Sequence, residues 1–195
     1  MCSWCWGFSP VFDQIRQKYH GKMSVRLMMG GLRPYTREVM SESMKKFLRK
    51  HWAEIQESTG QPFSFDLLKR IDFIYDTEVP SRALILANHL KPAIEWDFFK
   101  AIQHAFYAES KDTNELSTYL ALAKKFGLPE KRFEELFQSE MLTEMTRAHF
   151  FQSREMGINA YPSVLLAHNE RWFLLTRGYT SFETLDAKIQ RALSQ

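Results

Sequence analysis

At 195 residues and 23.1 kDa the chain suffices for one large domain, or for a small domain carrying a substantial insertion. With 45% hydrophobic residues, 14% aromatic residues and a net charge of +3, it has material for a sizeable core. The weak, evenly spread charge argues against nucleic acid, and no apolar run reaches the roughly 20 residues of a membrane span. No charged n-region or apolar h-region follows Met1, so the reading is a soluble cytoplasmic protein without a secretory signal. Two cysteines exclude a disulfide-framework protein, yet both fall within the first five residues, as Cys2-Ser3-Trp4-Cys5.

In chain order, Phe8, Val11, Phe12, Ile15 and Tyr19 recur at helical spacing and predict a helix from about Cys5 to Tyr19. Met23–Met29, with Val25, Leu27 and Met28, reads as a short buried strand stopped by Gly30-Gly31. Helical periodicity then dominates from Arg33 to Phe137. The spans are Ser41–Ser58, Phe65–Ile71, Ser81–Leu90 and Pro92–Glu109, with a loop through Tyr75-Asp76-Thr77-Glu78. Asp112 and Glu115 resemble a capping box for a helix ending at Phe126-Gly127, and Pro129 suits the first turn of the next. A further helix covers Glu140–Met156. Ser163–His168 and Arg171–Thr176 flank Asn169-Glu170 as a hairpin, and Ser181–Leu193 closes the chain as a helix. The pattern is one α/β unit split by a helical insertion. The basic cluster Lys45, Lys46, Arg49 and Lys50 reads as a solvated helix face, His168 as exposed, and the nine methionines as core filling.

Cysteines three apart at the start of a helix place both sulfurs on one side of the first turn. The first then lies near free backbone N–H groups and the positive end of the helix dipole, which favours the thiolate. With no cation between the cysteines, the expected source of Cys2 acidity is the helix amides rather than side chains. A thiolate so placed suits thiol–disulfide exchange, with the second cysteine resolving the mixed disulfide. The competing readings are weaker. So short a disulfide loop stabilises little. Structural zinc would need two more ligands, for which His104 and His149 are the candidates. Haem attachment would need His where Trp6 stands. Two inert buried cysteines are the remaining reading. Far along the chain, Gly157-Ile158-Asn159-Ala160-Tyr161-Pro162 sets a proline at the first residue of an apolar strand, where its missing N–H costs the ladder nothing.

These features together resemble the thioredoxin fold as elaborated in the DsbA family, and more closely the FrnE-like dithiol–disulfide oxidoreductases and isomerases of bacteria. The residues that carry the resemblance are 2–10 (Cys-Ser-Trp-Cys-Trp-Gly-Phe-Ser-Pro), 30–34 (Gly-Gly-Leu-Arg-Pro), 75–83 (Tyr-Asp-Thr-Glu-Val-Pro-Ser-Arg-Ala) and 157–163 (Gly-Ile-Asn-Ala-Tyr-Pro-Ser). The resemblance implies a thioredoxin-like domain of residues 1–32 and 156–195, split by a helical insertion of residues 33–155 that covers the active-site face. It implies that Cys2 attacks and Cys5 resolves, and that Pro162 is cis and lies against them. Tyr161 would offer backbone hydrogen bonds to an extended substrate, and Trp4, Trp6 and Phe8 would form an apolar rim. Asp76, Thr77, Glu78 and Arg82 are read either as site lining or as a helix cap and ion pair. Family members carry a central strand immediately before the cysteine pair, whereas only Met1 precedes Cys2 here. The expectation is a sequence that begins late, or a partner chain in the strand's place.

The leading function is a thiol–disulfide oxidoreductase or isomerase acting on protein, peptide or small-molecule disulfides. It would bind no cofactor and be recycled by glutathione or a thioredoxin-like protein, with reductase or isomerase work favoured in the cytoplasm. The alternatives share the architecture. One is a glutathione-dependent transferase or isomerase of the kappa or hydroxychromene-carboxylate type, which usually has serine at the nucleophile position. The other is a non-enzymatic protease-adaptor-like protein.

Overall fold

The computed structural model describes residues 1–195. Helix α1 (Ser3–Lys18) is the element around which the rest is arranged. Phe8, Val11 and Ile15 face one core, while Trp6 turns into another. Pro10 sits inside the helix and has no N–H to give to the carbonyl four residues back. That Trp6 carbonyl accepts instead from Ser9 Oγ at 2.9 Å and Gln61 Nε2 at 3.0 Å, so the helix runs through its proline without an orphaned acceptor. A Cβ at Gly7 would stand 2.9 Å from Ile55 Cγ2, which is why α2 (Glu42–Thr59) can cross so closely.

The helical block continues with α3 (Glu78–Leu90), α4 (Glu95–Tyr107), α5 (Leu116–Lys125), α6 (Glu130–Phe137) and α7 (Glu140–Glu155). Short 3-10 turns occupy Asp66–Lys69, where a longer helix is expected, and Pro92–Ile94 at the entrance to α4. Ser41 and Ser139 cap α2 and α7 by accepting from Met44 N and Leu142 N. The expected capping box at α5 does not form. Asp112 Oδ1 accepts from Asn114 and Oδ2 from Arg70, and the residue before the helix is Glu115, whose side chain makes no capping bond. Lys45 also departs from a solvated face: it is 5% exposed, folded back so that its ammonium meets Glu42 at 2.6 Å. Two cores fill this block. One joins α3 to α7 through Leu86, Phe98, Tyr119, Phe133 and Leu142. The other is aromatic, with Trp6, Trp52, Phe73, Tyr75, Phe106 and Tyr107.

After α7 the chain forms a hairpin, β1 (Ser163–His168) antiparallel to β2 (Arg171–Arg177), followed by α8 (Phe182–Leu193). Asn169 and Glu170 both take positive φ at the turn, and His168 pairs with Arg171. A register irregularity falls between Val164 and Leu165. Leu175, Leu185 and Ile189 close the third core against α1. The fold class is α/β, with eight helices and a two-stranded sheet. Met23–Met29 is not a ladder strand, contrary to expectation. The sheet holds β1 and β2 alone, and the segment's backbone is anchored by side chains from helices: Leu27 N–H donates to Glu95 and Met29 N–H to His149, each at 3.4 Å. Its apolar residues are half-buried to exposed, Val25 at 38% and Met28 at 41%. No helix is long and apolar enough to cross a membrane.

Candidate active site

Cys2 is the N-cap of α1. Its Sγ accepts the Cys5 backbone N–H at 3.2 Å, in the place a serine or aspartate oxygen takes in an ordinary helix cap. Its thiol donates to the Tyr161 carbonyl at 3.6 Å, across 159 residues of sequence. The Tyr161–Pro162 peptide is cis, and the contact with Cys2 sets the turn before β1 against the first turn of α1. Both cysteines are free and half-buried.

The two thiols differ in acidity. Cys2 is held below the ordinary thiol value of 9.0, first by the Cys5 thiol that donates to it and then by the backbone N–H groups of Cys5 and Trp4. The sequence points to the amides as the main cause; the neighbouring thiol outweighs them. Cys5 moves the other way, pushed well up by burial and by donating its proton to Cys2. One thiol of lowered pKa beside one of raised pKa is what a sequential attack-and-release pair requires. Beneath them lies a pair of buried hydroxyls, Tyr75 Oη and Tyr107 Oη, 3.2 Å apart, with Tyr75 also reaching the Met1 carbonyl at 3.4 Å. Burial raises both phenols far above their usual range, so they remain neutral.

Tyr161 is fixed from the far side. Its hydroxyl donates to the Gly30 carbonyl at 2.6 Å, and a Cβ at Gly30 would meet the ring at 2.0 Å. Glycine is therefore the residue that lets this ring seat. Three residues on, Arg33 is stitched to the start of α3: its N–H donates to Thr77 Oγ1 at 2.8 Å and its carbonyl accepts from Thr77 N at 3.2 Å. The Arg33 guanidinium makes no ion pair or hydrogen bond, and its Nε is buried without a partner, a situation that costs about 1–3 kcal/mol.

The remaining expected residues divide. Trp4 is half-buried between His51, at 5.9 Å, and Tyr179, at 5.4 Å between ring centroids. Trp6 is 5% exposed, stacks on Tyr107 and donates its indole N–H to Pro62; Phe8 is 4% exposed in the hairpin core. The structure thus puts Trp6 and Phe8 inside, because both follow the buried faces of α1. Thr77 and Asp76 hold the 33–35 loop, Asp76 Oδ1 accepting from the N–H groups of Tyr35 and Glu78, while Glu78 and Arg82 form a buried fork. His104 pairs with Glu109 and His149 accepts from Met29; neither joins the cysteines, and no group of three or more ligating side chains is placed to hold a metal. Sequence reasoning missed the working parts of Gly30, Arg33, Tyr75 and His51. The first three stand in stretches that carry the resemblance, which was the available signal.

With this geometry in view, the class is settled by comparison: the sequence matches the DSBA-like thioredoxin domain over residues 1–190, and the chain belongs to that family. Among solved structures it is similar to a proposed protein disulfide isomerase from Nitrosomonas europaea, with 35% identity, a TM-score of 0.91 and coverage of 100% of this chain and 94% of that one. It is also similar to the cytosolic disulfide reductase DsbM of Pseudomonas aeruginosa, with 27% identity, TM-score 0.81 and coverage of 100% and 95%. A further structure of DsbM contains glutathione. Likeness to a 2-hydroxychromene-2-carboxylate isomerase, at 14% identity and TM-score 0.67 over 98% and 91% of the chains, is one of fold alone. No curated protein matches the sequence.

Proposed function

We propose that this protein is a thiol–disulfide oxidoreductase of the reductase or isomerase kind, with Cys2 as nucleophile and Cys5 as resolving thiol. The observation that carries the reading is the N-cap position of Cys2, where a donated thiol proton and a helix N–H both favour its thiolate. The Cys2 thiolate attacks one sulfur of a substrate disulfide, forms a mixed disulfide and expels the first substrate thiolate. Cys5 loses its proton and attacks Cys2 Sγ, which expels the second substrate thiolate and leaves a Cys2–Cys5 disulfide. Two substrate thiols thus form for each dithiol oxidised. Two molecules of glutathione return the pair to the dithiol and leave as glutathione disulfide; the glutathione-containing DsbM structure supports this choice of reductant, and the cytosolic description of DsbM supports the same compartment. No bound cofactor takes part. Protein or peptide disulfides are the substrates, with Tyr161 and Pro162 offering an extended partner their backbone and Trp4 an apolar edge. Residues 1–32 and 156–195 would act as the thioredoxin-like part and 33–155 as the insertion over it.

The test is equilibration in a series of glutathione redox buffers with mass-tagging of free thiols. A reversible two-electron transition that disappears in Cys2→Ser is the expected result. Thiols that never pair, or pair irreversibly, would overturn the reading.

A further inference from the structure

Arg33 stands out as a cation with nothing to bind. The carboxylates on either side of Thr77, to which its backbone is bonded, are already engaged: Asp76 Oδ1 holds two backbone N–H groups, and Glu78 is forked onto Arg82. Its own backbone is locked in both directions to Thr77, so the loop that carries it is not free to swing the side chain elsewhere. That loop borders the dithiol on two sides. At Gly30 it receives the hydroxyl of Tyr161, whose carbonyl faces Cys2; at Thr77 it abuts the stretch in which Tyr75 reaches the carbonyl of Met1. The positive charge is felt at the Tyr75 hydroxyl, which also feels both cysteines. A guanidinium offers a planar fork of donors that matches a carboxylate in two-point contact, and here the guanidinium makes no hydrogen bond or ion pair, its Nε buried without a partner.

We infer that Arg33 is the carboxylate anchor of the ligand that exchanges at Cys2, gripping a carboxylate of glutathione or of a glutathione-like peptide while the ligand's sulfur lies on the thiolate. Glutathione carries carboxylates on both sides of its cysteine, so one of them can engage the fork with the sulfur directed inward. The inference rests on the oxidoreductase reading and names what selects its small-thiol partner. The chemistry of exchange is unchanged by it; the anchor sets affinity, and therefore KM, for ligands that carry the acid.

The experiment compares three disulfides in turnover: glutathione disulfide, its ethyl ester with the carboxylates blocked, and uncharged hydroxyethyl disulfide. Arg33→Gln should raise KM for glutathione disulfide by about tenfold, the effect of losing one charge-assisted contact, with kcat nearly kept. The same variant should move the ester and hydroxyethyl disulfide far less, and Arg33→Lys should recover part of the loss. In parallel, calorimetry with S-methylglutathione, which cannot exchange, should show binding to the unaltered protein that weakens in Arg33→Gln. An equal loss on all three disulfides assigns Arg33 a structural role and overturns the anchor, as does S-methylglutathione binding that ignores the substitution or is absent. If no disulfide is turned over while S-methylglutathione binding still depends on Arg33, the oxidoreductase reading falls and the anchor stands.

Discussion

Helix α1 meets two unlike surroundings. On the side of Trp6 it borders aromatic rings closed off from water: Trp52, Phe106 and Tyr107 are fully buried, and Tyr107 stacks on Trp6. On the side of Phe8 and Ile15 it borders the hairpin and α8, where Leu185 and Ile189 are buried but Leu174 is 43% and Trp172 65% exposed. The extended segment Met23–Met29 adds a backbone held by side chains rather than by a ladder. The dithiol therefore sits between a closed aromatic core and a more exposed hairpin side. The helical side holds the start of α1 against the buried tyrosines, and the strand side supplies the Tyr161 carbonyl that meets Cys2.

The contrast can be broken most forcefully at its closed side. Trp52→Ala should cost about 3–5 kcal/mol in urea unfolding, since a fully buried indole with four ring neighbours leaves a cavity the packed helices cannot close. Gly30→Ala should be smaller in stability but large in rate: displacing the Tyr161 ring shifts the carbonyl facing Cys2, and exchange should slow on the order of 10²-fold. Stopped-flow reduction of a model disulfide reads that loss.

The acidity of Cys2 provides the next step down. Its folded pKa is lowered, so the thiolate's contribution to stability is complete above the ordinary value of 9.0 and is lost as pH falls through the lowered one. Cys5→Ala removes the main donor, and the midpoint of iodoacetamide alkylation at Cys2 should climb back toward the ordinary value; Cys5→Ser, which retains an O–H, should climb less. Smallest of all, Leu174→Ala on the open hairpin should stay within about 0.5 kcal/mol of the unaltered protein. A cost comparable to that of Trp52→Ala would erase the contrast between the two sides.

Much of this architecture is legible in the residues alone. The helices that start near residues 41, 140 and 181, the hairpin turn at Asn169-Glu170 and the helical stripe of α1 are local signals with local causes. Met23–Met29 illustrates the limit: periodicity describes a chain's preference for extension, but a ladder is a property of two strands. Trp6 and Phe8 illustrate another, since a helix beside a site has faces pointing inward as well as out, and only packing decides which. The cysteine pair is singled out by its chemistry, Pro162 by its place at the first residue of a strand, and Tyr161 only by the resemblance. Arg33 and Gly30 are not, because what singles them out is a missing partner in one case and a missing atom in the other.

The sulfur at the head of α1, which we propose as the nucleophile, is also a helix cap, and this ties two equilibria into one thermodynamic cycle. As a thiolate it is a strong acceptor for the Cys5 N–H; as half of a disulfide it carries no charge and accepts weakly. Whatever the charged cap adds to the folding free energy of the reduced protein is absent from the oxidised one. By the closed cycle, the same quantity shifts the reduction potential upward, toward easier reduction of the disulfide. Any substitution in the first turn that strengthens or weakens the cap will therefore register twice, in the melting of the reduced protein and in the potential of the pair, by matching amounts.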